Sequence, residues 1–252
     1  MSKRSLNKMK IHFSRKDELR GLKLPTFMTE DLAEDVGIMV GDGHIGAHSH
    51  KGCTNYEICV SGDAISDRTY LKSYVWHLKK RLYNLKFPIF FAGKKKTEVR
   101  LQIYSRGLVE FYAKKIGLPL GKKENIRVPP VIQQGSLKVK RAFLRGLADT
   151  DFSLTFKKRV TKPSYPVIFY QTSCLALYSS TRNLLNKLGF NVTGNYRKNR
   201  RYEKVHDAYY LQISGRKQLD KWMKEVGFSS FNNLSRYKMW RKLGKLSTEK
   251  TI

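Results

Sequence analysis

Acid is what this chain most lacks: 20 Asp and Glu stand against 50 Lys and Arg in 252 residues, a formal net charge of +30. Such a deficit implies an extended polyanion as partner, either nucleic acid or an anionic membrane face. Cysteine is scarce as well. Cys53, Cys59 and Cys174 are odd in number and show no CxxC spacing, which argues against a disulfide framework and for reduced thiols. No apolar run approaches the roughly 18 residues that span a bilayer. The N-terminus, MSKRSLNKMK, lacks the apolar stretch of a signal peptide. The expectation is a soluble, intracellular protein without a membrane partner.

What the chain does have is an internal repeat. Val36 to Gly43 (VGIMVGDG) and Leu144 to Asp151 (LRGLADTD) share the pattern Gly, apolar, apolar, x, small, Asp, and their aspartates are 151 − 42 = 109 positions apart. At an offset of 110, Leu101-Gln102-Ile103 recurs as Leu211-Gln212-Ile213, Arg106 as Arg216, Tyr112 as Trp222, and Ile116-Gly117 as Val226-Gly227. One module is used twice.

Local patterns fill in the module. Thr29 is placed to cap a helix that runs to Asp42, with Glu30 and Asp31 in the first turn, where the helix dipole favours negative charge. Strands are expected around His44 to Lys51 and Tyr56 to Gly62. Ser66 opens a helix with Leu71, Val75, Leu78 and Leu82 at helical spacing. Strands Pro88 to Ala92 and Glu98 to Tyr104 and a helix from Arg106 to Ile116 complete an αββαββα half, and the order repeats after Ser136. The resulting division is a basic extension (1–28), a first half (29–118), a linker (119–135), a second half (136–230) and a basic C-terminal helix (231–252).

The glycines of the motifs need an explanation, because a mid-helix glycine costs about 1 kcal/mol relative to alanine. Gly37 and Gly41 are four apart, as are Gly146 and Thr150, so each helix carries a stripe of small residues along one face. Two such stripes can pack backbone against backbone. Parallel packing would set Asp42 beside Asp151 at helix C-termini, where an anion is disfavoured by roughly 0.3–1 kcal/mol. That arrangement calls for divalent cations, and carboxylates bridged by Mg²⁺ at a phosphodiester are the parts of metal-assisted hydrolysis.

The paired motifs resemble the signature of the LAGLIDADG homing endonucleases, in the single-chain form with two motifs. Ile116 to Pro130 (IGLPLGKKENIRVPP) is similar to the stretch such proteins carry before the second motif. The resemblance implies an α+β monomer. Its two pseudo-symmetric αββαββα halves would form saddle-shaped antiparallel sheets over double-stranded DNA, with the motif helices paired at the interface. It implies that Asp42 and Asp151 are catalytic and bind Mg²⁺ with help from the carbonyls of Gly41 and Thr150. Mn²⁺ would substitute, Ca²⁺ would support binding without cleavage, and both strands of a long, pseudo-palindromic or asymmetric site would be cut to leave short 3′ overhangs. The family's water-positioning amide is matched by Gln171 in the second half, whereas the first offers only Ser61, Gly62 and Asp63. The penultimate acidic position is Val40 in one motif and Asp149 in the other.

Alternation on the strands leaves one face for the core and one for DNA. Arg100, Gln102 and Gln212 are the candidates for base readout, by bidentate bonds to guanine or adenine. Lys94, Lys95 and Lys96, then Lys157, Lys158 and Arg159, then Arg197, Lys198, Arg200 and Arg201 lie at turns or strand ends where phosphates could be met. Arg106 and Arg216 stand at equivalent strand-to-helix junctions as phosphate contacts or as the basic catalytic helper. His44, His48, His50 and Cys53 have the content of a metal cluster, but on an alternating strand they suit DNA contact better than zinc. The alternative to an endonuclease is a non-cleaving nucleic-acid-binding protein on the same scaffold, an intron RNA maturase or a DNA-binding regulator. The absence of splicing-block residues at the termini argues against an intein. Localisation in the cytoplasm of a prokaryote or in an organelle matrix is expected.

Overall fold

The computed structural model describes residues 6, 9–93, 95–158, 164–201 and 204–249, with side chains at all of these except 50, 199–201, 204–206 and 243–249. Lys94 and Arg159, and the side chains of Arg200 and Arg201, lie outside the described residues.

Each half is a four-stranded antiparallel sheet backed by helices. In the first, β1 (Gly43–His50), β2 (Cys53–Asp63), β3 (Ile89–Ala92) and β4 (Glu98–Tyr104) lie in the order β1-β2-β4-β3. In the second, β5 (Phe152–Lys157), β6 (Tyr165–Thr172), β7 (Val192–Arg201) and β8 (Lys204–Ser214) repeat that order as β5-β6-β8-β7. Period-2 alternation sends Ile45, Ile58, Val60, Leu101 and Ile103 into one core and Leu154, Ile168, Tyr170, Leu211 and Ile213 into the other. The basic N-terminal segment is part of the packing, since Leu6 and Leu22 are buried in the first core.

The motif helices, Glu30–Val40 and Leu137–Asp151, form the joint between the halves. Thr29 Oγ1 and Ser136 Oγ accept the N–H groups of Leu32 and Val139, capping each helix as its sequence predicts. The glycines are where the backbones meet. A Cβ on Gly37 would lie 2.2 Å from the Phe143 carbonyl oxygen, and one on Gly146 would lie 2.0 Å from that of Glu34. Because 34 + 109 = 143, the two contacts are copies of each other about a pseudo-two-fold axis. Gly146→Ala is therefore expected to cost about 3 kcal/mol or more, since backbone cannot yield as a side-chain tip does; a denaturation midpoint unchanged by the substitution would contradict this packing.

Two features of the first half depart from the sequence pattern. Ser66 does not open the following helix. Asp63 Oδ1 instead accepts the N–H groups of Ile65 (3.0 Å) and Ser66 (2.8 Å), and helical structure begins at Arg68. In addition, Lys79 and Asp35, both fully buried, pair at 2.6 Å, with the Tyr83 and Tyr112 hydroxyls also donating to Asp35.

Candidate active site and nucleic-acid interface

The motif helices deliver their aspartates to one place. A Cβ on Gly41 would meet Thr150 Oγ1 at 2.0 Å and Asp151 Oδ1 at 3.0 Å, so the end of the first helix touches the carboxylate of the second. Asp42 is accessible to solvent, yet the protein around it displaces much of its hydration. That desolvation, together with the nearby charges of Asp151 and then Asp67, pushes its pKa up to about 7 against the pull of Lys123. Burial likewise raises Asp151 to about 6. Lys123 Nζ donates to the carbonyls of Val40 (3.0 Å) and Gly41 (2.6 Å) at the end of the first motif helix. Burial lowers its pKa, and Asp151 and Asp42 counter the shift.

Strand register places the next residues. Gly43 pairs with Val60, so one step on Asp42 stands opposite Ser61, whose N–H donates to the Asp42 carbonyl at 3.2 Å. Ser61 in turn pairs with Arg100. In the second half Phe152 pairs with Tyr170, which sets Asp151 opposite Gln171, and Gln171 pairs with Tyr210. Two rows result, Asp42–Ser61–Arg100 and Asp151–Gln171–Tyr210. The Arg100 guanidinium makes two bonds to Glu98, at 2.8 and 2.9 Å, and Arg197 lies over the Tyr210 ring.

Of the residues expected to meet DNA, Arg100 and Gln102 share the open face of the first sheet, where the Gln102 amide donates to the Tyr104 hydroxyl. Gln212 occupies the open face of the second and accepts from Lys157 Nζ at 2.8 Å. Lys95 and Lys96 are exposed in the β3–β4 turn, and Lys158 is exposed after β5. Arg197 shares the Gln212 face, but Lys198 takes the opposite one, because consecutive strand residues alternate.

Arg106 and Arg216 are not brought to the aspartates. Each heads a helix and folds back on an acid four residues on, Glu110 at 2.9 Å and Asp220 at 3.9 Å, and Arg106 lies over Tyr56 on the core-facing side of the first sheet. The basic group at the site is Lys123, in the segment read as linker. The Gly41 carbonyl, expected to assist a metal, already accepts from it. The His44 and His48 rings stack at 6.3 Å across Gly46, and among the described residues no three His, Cys, Asp or Glu side chains converge as a metal cage.

Two lobes on one αββαββα plan, locked through paired glycine-bearing helices that end on aspartate, are the fold of the LAGLIDADG homing endonucleases in their single-chain, two-motif form. Residues 138–227 match the LAGLIDADG-like domain family. The chain superposes on I-DmoI, solved in complex with DNA and Mn, with a TM-score of 0.55 and 19% identity over 79% of this chain and 96% of that one. It superposes on I-GzeII in complex with its DNA target with a TM-score of 0.55 and 10% identity over 87% and 91%. I-DmoI has also been solved with DNA and Ca. In sequence the chain is 26% identical over 210 residues to the tRNA-splicing ligase RtcB of Methanopyrus kandleri, spanning 78% of this chain and about a fifth of the length of that relative.

Proposed function

We propose that the protein is a site-specific double-strand DNA endonuclease, acting as a monomer whose lobes are residues 29–118 and 136–230, joined by 119–135. The observation that carries this reading is the pair of pseudo-symmetric carboxylates, Asp42 and Asp151, held together with raised pKa values at the centre of two sheets in a chain of net charge +30. A core-packing role needs no ionisable group there, and holding two partly desolvated acids side by side has a stability cost that a divalent cation and a phosphodiester would relieve.

The donor set fits a hard divalent cation: two carboxylates, with the Thr150 carbonyl beside them and the remaining positions left for water and phosphate oxygens. Such an ion, Mg²⁺ or Mn²⁺ for cleavage and Ca²⁺ for binding alone, supplies Lewis acidity that sharpens a water nucleophile and steadies the leaving oxygen. The chain's own groups do the rest. Gln171, opposite Asp151, would orient water there by its amide, a role for which Ser61 is the residue at the Asp42 side. Lys123 uses two of its three N–H donors on Val40 and Gly41, leaving one for a phosphate oxygen. Two carboxylates this close suit phosphates facing each other across the minor groove, about 6 Å wide, rather than the major groove at about 12 Å. Phosphates closest across the minor groove are offset in the 3′ direction, so cutting both leaves short 3′ overhangs.

The test is cleavage of a supercoiled plasmid library carrying randomised sites, in Mg²⁺ and in Ca²⁺. The expected result is linear product in Mg²⁺ alone, with duplex affinity falling by about 0.9 log units per phosphate contact for each log unit of salt. Tight binding without cutting in any metal would replace the endonuclease with a binding protein on the same scaffold.

A further inference from the structure

Ile65 is 92% exposed, more than any other large apolar side chain among the described residues, and it sits on a turn that is anything but loose. Asp63 Oδ1 holds the N–H groups of Ile65 and Ser66, the Asp63 N–H is held by Asp67 at 2.9 Å, and the Ala64 N–H donates to the Thr97 carbonyl at 2.9 Å. The turn follows β2 four residues beyond Ser61, the residue opposite Asp42. Because 65 + 110 = 175, its counterpart is Leu175, which is also exposed, at 55%. Leu175 follows β6 four residues beyond Gln171, and its turn is closed by the Thr172 hydroxyl accepting the Cys174 N–H at 3.1 Å.

Each turn is also tied to a segment outside its own half. Asn232 Nδ2, from the C-terminal helix, donates to the Ser66 carbonyl at 3.4 Å. Cys174 Sγ lies 3.3 Å from the carbonyls of Glu124 and Ile126 in the connecting segment. The first turn is also close enough to the site for the Asp67 charge to act on Asp42, and beside the second Tyr170 feels both Asp151 and Cys174. Neither tip is a phosphate contact, since each is apolar, and Asp63 and Asp67 flank the first.

We infer that Ile65 and Leu175 are a pair of wedges that enter the minor groove on either side of the central base pairs, unstack them and kink the duplex towards its major groove, opening the minor groove over the two carboxylates. Apolar side chains inserted between base steps kink DNA in this way, and the gain is closer contact between bent DNA and protein. Here the opened groove would admit the ends of the motif helices between the strands, so that Asp42 and Asp151 each reach the scissile phosphate of one strand. The inference rests on the DNA-cleavage reading and adds how the substrate is deformed.

The experiment uses the full-length protein in Ca²⁺ with a 40-base-pair duplex, an arbitrary design length, carrying a site recovered from the plasmid library. One set of duplexes has 2-aminopurine at each central position in turn, and another has a donor and an acceptor dye at the ends. Wild type is expected to raise 2-aminopurine emission at central steps and to shorten the end-to-end distance. Ile65→Ala with Leu175→Ala is expected to lose both signals and to cut more slowly at saturating DNA, with an unchanged melting temperature because both side chains are exposed. Bound duplex with quenched 2-aminopurine in wild type, or signals retained in the double variant, overturns the wedge while leaving the endonuclease intact. Failure of wild type to bind any duplex overturns the reading beneath it and the wedge with it.

Discussion

Asp42→Asn and Asp151→Asn are each expected to cut cleavage by roughly 10²–10⁴-fold, the scale of several kcal/mol of lost charge stabilisation in the transition state, and to raise thermal stability at neutral pH. The second half of the result follows from the shifted acids. Both carboxyls have folded-state pKa values above the ordinary 3.8, at about 7 and about 6. Between those limits these two groups bind more protons in the native chain than in the unfolded one, so the stability they contribute is fully present below pH 4 and is lost as pH rises through the window. An amide carries no such proton. Each Asn variant should therefore gain on wild type as pH rises from 4 to 8, by roughly 2–4 °C in Tm for every kcal/mol relieved. Asp149, also raised to about 7 by burial, remains in both variants and keeps a residual slope. Calorimetry across that range without divalent ions checks the sign; variants less stable than wild type at pH 8 would sink it. Cleavage by wild type should climb over the same range, as the acids ionise.

Strand cutting is expected to be unequal, with nicked circles building up before linear product. The two rows differ at every position after the aspartate: Ser61 and Arg100 on one side, Gln171 and Tyr210 on the other. They differ again at the straps. Lys123 holds the end of the first motif helix, but its counterpart, since 123 + 110 = 233, is Asn233. Asn233 is buried against β5, where it accepts the Leu154 N–H and donates to the Phe152 carbonyl. Among the described residues, one lysine serves the pair. Lys123→Met should slow cutting by roughly 10²–10³-fold, the cost of removing one preorganised donor. Gln171→Ala should slow one strand only, and Ser61→Gln should narrow the gap between strands. A time course on supercoiled plasmid decides the matter: linear product with no nicked lag, in wild type and Gln171→Ala alike, would refute the asymmetry.

Much of this was legible in the sequence because it is periodic. The strands alternate, the glycines recur at an offset that geometry explains, and both aspartates end their helices at the joint. What was not legible depends on partners distant in sequence. Lys123 lies in a segment rich in Gly, Pro and charge, where a lysine looks like solvated surface. Its value comes from the edge of β1, where Gly121 N–H donates to the Ile45 carbonyl at 2.8 Å and steers the chain past the helix end. Its likeness to the stretch that precedes the second motif was the available signal. Arg106 pairs instead with Glu110, one helical turn away, a partner that the strand-to-helix junction alone does not reveal. Lys79 and Asp35 defeat any pattern that assigns charge to the surface, because each is buried only by virtue of the other and of two tyrosine hydroxyls.

Beside the glycine contacts, Glu34 on the first motif helix accepts from Arg145 on the second and from the Tyr74 hydroxyl at 2.6 Å. The pseudo-symmetric copies of that pair are Phe143 and Val36, both fully buried. Two copies of the first half would thus face each other with a pair of buried glutamates and no arginine, and two copies of the second with unmatched arginines. Expressed as separate polypeptides, the halves should ignore their own kind and find only each other, which makes the seam between the motif helices a ready cleavage point for a two-fragment protein whose activity appears only when both pieces meet.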